Sequence, residues 1–433
     1  METHLADWIK GTPTGAEAES ILRTCVHCGF CNATCPTYQL LGDELDGPRG
    51  RIYQIKRMLE GEAPGRSTQQ HLDRCLTCRN CETTCPSGVA YGRLLDIGRA
   101  AVDERVRRPL GERVQRALLR GVLTRRWIFD PLTRLGRALR PLMPATLRSK
   151  LPSLRAAGAW PVRTQTSTAP LRKVLLLRGC VQPALMPAID AATARVLDAV
   201  GVEAIVEPRS GCCGALDFHL SAVAQAQERA RRNIDAWWPH IVECGVEAIV
   251  INASGCGAMV KDYAHLLRDD SAYAQKAQRV VALTSDLAEY LPALLQPLAA
   301  RRSIVLPDNL RRVAFHPPCT LQHALKIRGT VEALLAAFGA ELLPVQESHL
   351  CCGSAGTYSI LQSELSQRLR ERKLDNLQRE RPAMILSANI GCLSQLESAA
   401  AVPVRHWIEW IDTVLQSDQT LPVNWSAPHF HPA

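Results

Sequence analysis

The chain has 433 residues, of which 46% are apolar and 21% charged, with a formal net charge of +9, as expected of a globular protein with about two or three domains. It has no run of eighteen apolar residues, and its N-terminus has no basic stretch followed by an apolar one, so we expect neither a membrane-spanning helix nor a secretory signal. We therefore expect a cytoplasmic, reducing location, where the seventeen cysteines are metal ligands or redox groups rather than disulfides.

Two runs near the N-terminus share one cysteine spacing. CVHCGFCNATCP (25–36) and CLTCRNCETTCP (75–86) both read C-x-x-C-x-x-C-x-x-x-C-P. A 4Fe–4S cluster needs four thiolates around a compact cage, and in two-cluster ferredoxins the fourth cysteine of each run binds the cluster of the other run. The spacing therefore predicts two 4Fe–4S clusters. The predicted ligands are Cys25, Cys28, Cys31 and Cys85 for cluster 1, and Cys75, Cys78, Cys81 and Cys35 for cluster 2.

A pair of zinc knuckles is the alternative, because zinc sites also use C-x-x-C pairs. Four cysteines within eleven residues, followed by proline and present twice, favour the iron–sulfur interpretation. Between the runs, GPRGRIYQIK (47–56) predicts a turn and a short amphipathic helix that pairs the two cluster loops without chemistry of its own. Residues 1–104 are thus predicted to form a mainly helical, two-cluster ferredoxin-type domain.

The next segment, 105–170, contains no cysteine and is predicted to be a basic, helical linker. From Arg105 to Arg155 it has fourteen Arg or Lys residues and two acids, so it holds the excess positive charge of the chain. We interpret it as helices that clamp the ferredoxin-type domain to the rest of the protein. Because its leucines and Trp127 recur at helical spacing among arginines, peripheral contact with an anionic membrane or with a partner is the alternative. No recognition motif predicts nucleic-acid binding.

The third part of the chain is an internal repeat. Cys180 and Cys319 are 139 positions apart, and Cys212 and Cys351, each the first of a Cys-Cys-Gly triplet, have the same separation. The later phrases INASGC and SANIGC repeat with an offset that is three residues shorter. Such a repeated spacing predicts two copies of one structural unit. The predicted units are 171–309 and 310–433.

Within each copy, β-branched or leucine-rich runs alternate with helical stretches, which predicts an α/β unit with three parallel strands. Ligands of such sheets lie beyond the carboxyl ends of the strands. The repeat cysteines follow predicted strands, so we expect each copy to gather four thiols at one sheet edge. These are Cys180, Cys212, Cys213 and Cys256 in the first copy, and Cys319, Cys351, Cys352 and Cys392 in the second.

Two adjacent thiols followed by glycine are not required for packing. We therefore interpret the two sets as sites for an additional iron–sulfur cluster or a redox-active dithiol, with buried free cysteines as the alternative. Cys244 lies outside the pattern and is expected in the core. His316 and His349 are expected to be hydrogen-bonded structural histidines, with tuning of a cluster or proton donation to a quinone as the alternative.

Several cofactor motifs are missing from the sequence. No G-x-G-x-x-G follows a strand, and there is neither a P-loop nor an H-E-x-x-H motif. The sequence thus predicts no flavin or nicotinamide site. A chain that stores single electrons but lacks a hydride acceptor needs a partner that oxidises the substrate.

The phrases around the cysteines extend the pattern beyond spacing; they are TCVHCGFCNATCPTY, GPRGRIYQIK, CLTCRNCETTCPSGV, SGCCGAL, NASGCGAMVKDY and HLCCGSAGTYS. Over nearly its whole length, the chain resembles a family of iron–sulfur electron-transfer subunits, and it is most similar to those of glycolate oxidase. The family also includes the third subunit of anaerobic glycerol-3-phosphate dehydrogenase, a lactate-utilisation protein and heterodisulfide reductase subunits.

The resemblance implies a complex in which flavin-binding subunits carry FAD and oxidise glycolate to glyoxylate. This chain would have no substrate-oxidising site and would pass electrons toward quinone. The alternatives are the equivalent subunit of a lactate or glycerol-3-phosphate dehydrogenase, a heterodisulfide-type reductase, and a structural metal-binding protein. Only the eight ferredoxin cysteines carry over residue by residue. Heterodisulfide reductase domains end in C-x-x-C, whereas Met259 and Gln395 stand at that last position here, which argues against disulfide reduction.

Overall fold

The computed structural model of the protein describes residues 1–142, 152, 154–161, 172–300 and 306–417. Its N-terminal part is helical and has its own apolar core, as predicted for a ferredoxin-type domain. Thr12 caps the first helix, because its hydroxyl oxygen accepts the amide hydrogen of Gly15 at 3.0 Å. The helices are α1 (Pro13–Thr24), α2 (Phe30–Ala33), α3 (Pro36–Leu41), α4 (Pro48–Leu59), α5 (Arg66–Asp73), α6 (Asn80–Thr84) and α7 (Tyr91–Arg105).

The basic linker continues with two further helices. They are α8 (Leu110–Leu123) and α9 (Arg126–Ala138). The expected clamp is present, because Arg116 pairs with Asp73 of the ferredoxin-type domain at 2.9 Å and Arg229 of the first repeat donates to the Thr124 hydroxyl at 2.6 Å. The parts of the predicted linker at 143–151, 153 and 162–170 lie outside the described residues. Within the described ranges, no helix has the length and apolar character that a membrane span requires.

The remaining elements form two units of similar order. The first comprises β1 (Arg172–Leu177), α10 (Gln182–Leu185), α11 (Pro187–Ala199), β2 (Val202–Ile205), α12 (Ala215–His219), α13 (Val223–Val242), β3 (Ala248–Ile251), α14 (Ser254–Val260), α15 (Tyr263–Leu266), α16 (Ala274–Leu283), β4 (Thr284–Asp286), α17 (Leu287–Tyr290) and α18 (Pro292–Ala300). The second comprises α19 (Asp308–Arg311), β5 (Arg312–His316), a π-helical turn (Thr320–Ala324), α20 (Thr330–Ala337), β6 (Glu341–Leu342), α21 (Tyr358–Leu361), α22 (Ser363–Gln378), β7 (Met384–Ser387), α23 (Ile390–Glu397), β8 (Val404–His406) and α24 (Trp407–Ser417).

Each unit holds a parallel sheet of four strands, in the order β2-β1-β3-β4 in the first and β6-β5-β7-β8 in the second. The predicted α/β class with parallel sheets is confirmed, but the prediction of three strands per unit was wrong. The missed strands, β4 and β8, read TSD and VRH and have only three residues each. Such short polar sequences carry no strand signal, and they are strands because they pair with β3 and β7.

The two units share one apolar core, and the first unit has a second core of its own on the other face of its sheet. Helix α11 of the first unit packs on α24 of the second, and Arg195 pairs with Asp412 across this contact at 2.7 Å. Helix α18 packs on α20 in the same crosswise manner. The two units are therefore joined by helix-to-helix packing.

The carboxyl ends of the two sheets face each other. Just after β3, the Ser254 amide donates to the Ala388 carbonyl, which follows β7, at 3.2 Å. The Ser254 hydroxyl also lies 2.7 Å from that of Thr320, which follows β5. Through this contact, the two sheet edges that carry the repeat cysteines lie next to each other.

Candidate iron–sulfur and thiol sites

The two N-terminal cysteine runs fold into the same shape, a loop followed by a short helix. In each run the first cysteine follows a helix, the second lies on the loop and the third lies on α2 or α6. Both loops contain left-handed backbone at equivalent positions. These residues are His27 (φ 59°), Gly29 (φ 86°), Thr77 (φ 55°) and Arg79 (φ 58°). Left-handed residues other than glycine cost about 1–3 kcal/mol and cluster at ligand-binding loops, where they turn side chains toward one centre.

The first run encloses a cavity of about 440 Å³, part of it open to solvent. The cysteines that line it are Cys25, Cys28, Cys31, Cys81 and Cys85. Cys85 belongs to the second run in the sequence, yet it lies on the cavity of the first run. This crosswise position is the one that the two-cluster ferredoxin pattern predicts for a fourth ligand.

The second run encloses a smaller cavity of about 290 Å³, lined by its own three cysteines and by Cys35 of the first run. The sulfur-only donor set suits an iron–sulfur cluster. Burial raises the pKa of the Cys78 and Cys81 thiols well above the usual range, so an isolated thiolate is unfavourable there. The iron of a bound cluster would supply the missing positive charge. The assignment of individual ligands remains a prediction.

A buried charge network supports the second cavity. The side chain of Arg51, on α4, lines the cavity and is fully buried. Its hydrogen bonds go to the His71 carbonyl at 2.8 Å, the Thr37 hydroxyl at 3.2 Å and the Asp46 carboxylate at 3.3 Å. A guanidinium held beside thiolates stabilises their negative charge, most strongly in a buried site. Sequence reasoning assigned no chemistry to this residue. The sequence does contain a sign of its role. Arg51 lies on the same side of α4 as the buried apolar residues Ile52, Ile55 and Met58.

The first repeat brings together its four predicted thiols at the carboxyl ends of β1, β2 and β3. Cys180 and Cys213 flank Cys212, and Cys213 lies beside Cys256. The neighbouring thiols lower the pKa of Cys212 well below the usual range. The Tyr263 hydroxyl donates to the Cys213 carbonyl at 2.8 Å and fixes the adjacent pair. These four residues form one contiguous thiol site.

The second repeat gathers its set in the same way, with the Cys319 and Cys351 sulfurs 3.9 Å apart. Cys352 and Cys392 lie close together, and His316 joins them in a group whose ligand atoms are all within 4.8 Å of one another. Gly353 has φ of 84°, and a Cβ atom there would lie 2.5 Å from the Ser366 carbonyl oxygen. The glycine of the triplet is therefore required for the backbone to fold this tightly.

The second cavity, which cysteines of both runs line, also adjoins the second repeat. Cys78 and Leu76 pack in one small apolar cluster with Cys351 and Tyr358. In the same cluster, Cys319 is partly buried against these side chains. The ferredoxin-type domain and the second thiol set therefore meet through cysteines on both sides.

Two expectations for individual residues were wrong. Cys244 is exposed rather than in the core, because it lies in the turn after α13. His316 is buried, but neither of its ring nitrogens has a hydrogen-bond partner among the described residues. It is thus not the hydrogen-bonded structural histidine that we expected.

Comparison with known families agrees with this architecture. A 4Fe–4S dicluster domain matches residues 21–89, and a cysteine-rich domain matches twice, at 174–261 and 313–397. The matches coincide with the two cysteine runs and with the two thiol-bearing units. The dicluster match supports iron–sulfur clusters in this chain, and the second match identifies the two repeats as cysteine-rich domains.

Similar full-length proteins are also known. The chain is 52% identical over 96% of its length, and over the whole relative, to the glycolate oxidase iron–sulfur subunit of Escherichia coli. It is 30% identical to a probable glycolate oxidase iron–sulfur subunit of Bacillus subtilis, covering 88% of this chain and 89% of the relative. Lactate utilization protein A of Geobacillus thermodenitrificans is 25% identical, covering 52% of this chain and 90% of the relative. The chain therefore belongs to the family of glycolate oxidase iron–sulfur subunits.

Proposed function

We propose that this protein is the electron-transfer subunit of a complex that oxidises glycolate to glyoxylate. FAD-carrying partner subunits would remove two electrons and two protons from the 2-hydroxy acid, and this chain would pass the electrons on toward quinone. The observation that carries the proposal is the crosswise placement of Cys85 and Cys35 on the two cavities. This arrangement puts two four-cysteine sites side by side, and 4Fe–4S clusters bound there exchange one electron at a time.

The surface around the first cavity favours docking of a redox partner. Cys28 is exposed, and the neighbouring Val26 and Phe30 are 69% and 62% exposed. Large apolar side chains at such exposure are typical of contact surfaces. We infer that a flavin-binding subunit docks here, because only the first of the two cavities has this exposed apolar rim.

The repeat thiols are proposed as sites for further iron–sulfur chemistry. In the second repeat, Cys351, Cys352, Cys392 and His316 are buried, Cys319 is partly buried, and the set adjoins the second cavity. In the first repeat, Arg229 holds Asp217 and lies near Cys212, which favours negative charge on that thiol. These features support metal-bound thiolates over inert buried cysteines.

The α8–α9 hairpin is proposed to contact the anionic, cytoplasmic face of a membrane. Its exposed apolar side chains are Leu110, Val114, Leu118, Trp127, Leu132, Leu135, Leu139 and Leu142. Between 113 and 129 the sequence contains five arginines and no acid. Apolar residues interleaved with arginines complement a lipid surface with negative headgroups. Such a contact would keep this chain near a lipid-soluble quinone.

The decisive experiment is metal analysis of anaerobically purified protein together with electron paramagnetic resonance of the reduced sample. About eight irons and eight sulfides per chain with two interacting signals would support the two ferredoxin-type clusters, and about twelve or more irons would support a repeat cluster as well. Glycolate should reduce the clusters, and so produce these signals, only when the flavin-binding subunits are present. Zinc without sulfide, or reduction by glycolate with this chain alone, would overturn the proposal.

A further inference from the structure

The two thiol sets differ at one position on the strand that leads into each of them. His316 ends β5 and faces Ser387 of β7 in the sheet register. At the equivalent place in the first unit, Leu177 ends β1 and faces Ile251 of β3. The two residues are separated by the same 139 positions as the repeat cysteines. The second set therefore has an imidazole where the first has an apolar side chain.

This imidazole is buried without hydrogen bonds. His316 is 1% exposed, and its Nδ1 and Nε2 atoms have no partner in the described part of the chain. Its backbone is satisfied, since the Ser387 hydroxyl donates to the His316 carbonyl at 2.9 Å. Burying a polar group without a partner costs about 1–3 kcal/mol. Both ring nitrogens are therefore available to a ligand.

Two thiols lie close to the ring. The ligand atoms of His316, Cys352 and Cys392 all lie within 4.8 Å of one another. A neutral imidazole beside thiolates is a ligand set for iron or zinc.

We propose that His316 is a nitrogen ligand of the metal centre of the second repeat, together with Cys352 and Cys392. This inference rests on the proposed function, in which the repeats hold iron–sulfur centres. The first repeat, with Leu177 in place of the histidine, offers sulfur ligands only. The two repeats are therefore not equivalent: one centre has mixed sulfur and nitrogen ligation and the other does not.

Mixed ligation has a functional consequence. Replacing thiolate by neutral imidazole reduces the negative charge of an iron–sulfur centre and raises its reduction potential, as in Rieske centres. Lys373, which is buried and donates to the Glu347 carbonyl at 2.6 Å, adds positive charge in the same region. The second repeat is thus the better electron acceptor of the two, and it is the one whose cysteines meet Cys78.

The test is pulsed electron paramagnetic resonance of the full chain, purified anaerobically after labelling with ¹⁵N-histidine. The wild type should show a strongly coupled histidine nitrogen on one of its centres. His316→Leu, which copies the first repeat, should lose that coupling while the signals of the ferredoxin-type clusters stay unchanged. The His316→Cys variant supplies a thiolate at this position. It should therefore retain the metal without nitrogen coupling, and the midpoint potential of that centre should be lower. His240→Gln serves as the control, because His240 pairs with Glu207 and belongs to neither thiol set.

The outcomes separate this inference from the proposed function. If the wild type holds about eight irons and no third signal, the repeats are metal-free, and both the repeat centre and the histidine ligand are refuted. If a third centre is present without a coupled histidine nitrogen, the centre stands and the ligand assignment fails. The wild-type spectrum decides this second point even if a variant does not fold.

Discussion

The Thr83 hydroxyl lies 3.0 Å from Nδ1 of His323, which joins the second cysteine run to the second repeat. The Nε2 atom of His323 lies 3.0 Å from the His349 carbonyl, so Nε2 carries the proton and Nδ1 accepts from Thr83. Burial lowers the pKa of His323 to about 4, which keeps this tautomer neutral at physiological pH. Because Thr83 lies between Cys81 and Cys85, the bond fixes the second cluster loop against the loop that precedes Cys351.

Substitution of the fourth cysteine of each run should affect the cluster of the other run. Cys85 lines the first cavity, so we expect Cys85→Ser to lose the first cluster, with iron falling from about eight to about four atoms per chain in the ferredoxin-type domain. Spectroscopy of the reduced protein should then show the signal of the second cluster without interaction. Iron and sulfide analysis with electron paramagnetic resonance measures both effects.

Cys35→Ser is the matched variant, because Cys35 lines the second cavity. It should retain the first cluster and lose the second. Cys244→Ser, at an exposed cysteine outside both cavities, should keep the iron content of the wild type. Loss of the same-run cluster in both variants would refute the crosswise assignment.

Removal of the buried guanidinium should destabilise the ferredoxin-type domain. Arg51→Met removes the fully buried partner of the Asp46 carboxylate, which keeps Arg74 at 2.8 Å, so we expect a loss of about 1–3 kcal/mol. Urea unfolding under anaerobic, reducing conditions measures the loss. In contrast, Arg23→Gln removes an exposed pair with Glu19 and should change stability by about 0.5 kcal/mol or less. Equal effects of the two variants would contradict the role assigned to Arg51.

The stability of the protein should fall with rising pH because of Asp286. Burial raises the pKa of this carboxyl group from the usual 3.8 to about 7 in the folded state. Between these values the folded protein holds a proton that the unfolded chain has released, so stability decreases as pH rises and levels off above pH 7. The decrease attributable to one proton is about 1.4 kcal/mol per pH unit.

Asp286→Asn isolates this effect, because the amide oxygen can still accept the Ala288 amide hydrogen that caps α17. The stability of the variant relative to the wild type should grow from pH 5.5 to about pH 7, by about 1.4 kcal/mol per pH unit. Denaturant unfolding at several pH values measures it. A relative stability that does not change with pH would show that Asp286 titrates normally.

The exposed leucines of the α8–α9 hairpin should govern binding to anionic vesicles. Replacing Leu118 and Leu135, which are 60% and 56% exposed, by glutamate removes apolar contact and adds negative charge. We expect binding to vesicles of phosphatidylglycerol and phosphatidylcholine to fall about tenfold or more, given about 1.5–3 kcal/mol for each buried leucine. Co-sedimentation measures the binding.

Val242→Glu is the control, because Val242 is similarly exposed, at 57%, but lies on α13. It should bind vesicles like the wild type. Wild-type binding should also weaken with added salt and be weak to phosphatidylcholine alone. If the leucine variant bound vesicles like the wild type, the exposed leucines of the hairpin would not be a lipid-binding surface.

The sequence by itself determined the chemistry and the class of the fold. The spacing of the cysteine runs predicts the cluster type, because a cubane cage admits few short loops that supply three sulfurs. The 139-residue offset predicts two copies of one unit, and the alternation of apolar runs with helical stretches predicts that each unit is α/β. Such local signals survive in any tertiary context.

Only the tertiary structure decided which side chains meet. Strands β4 and β8 exist because neighbouring strands offer them partners, and the common core exists because α11 and α24 cross between the units. The isolation of His316 among thiols and the burial of Arg51 depend on elements far apart in the chain. These relationships arise from long-range packing, which no local periodicity encodes. The surroundings of His316 also distinguish the second repeat from the first.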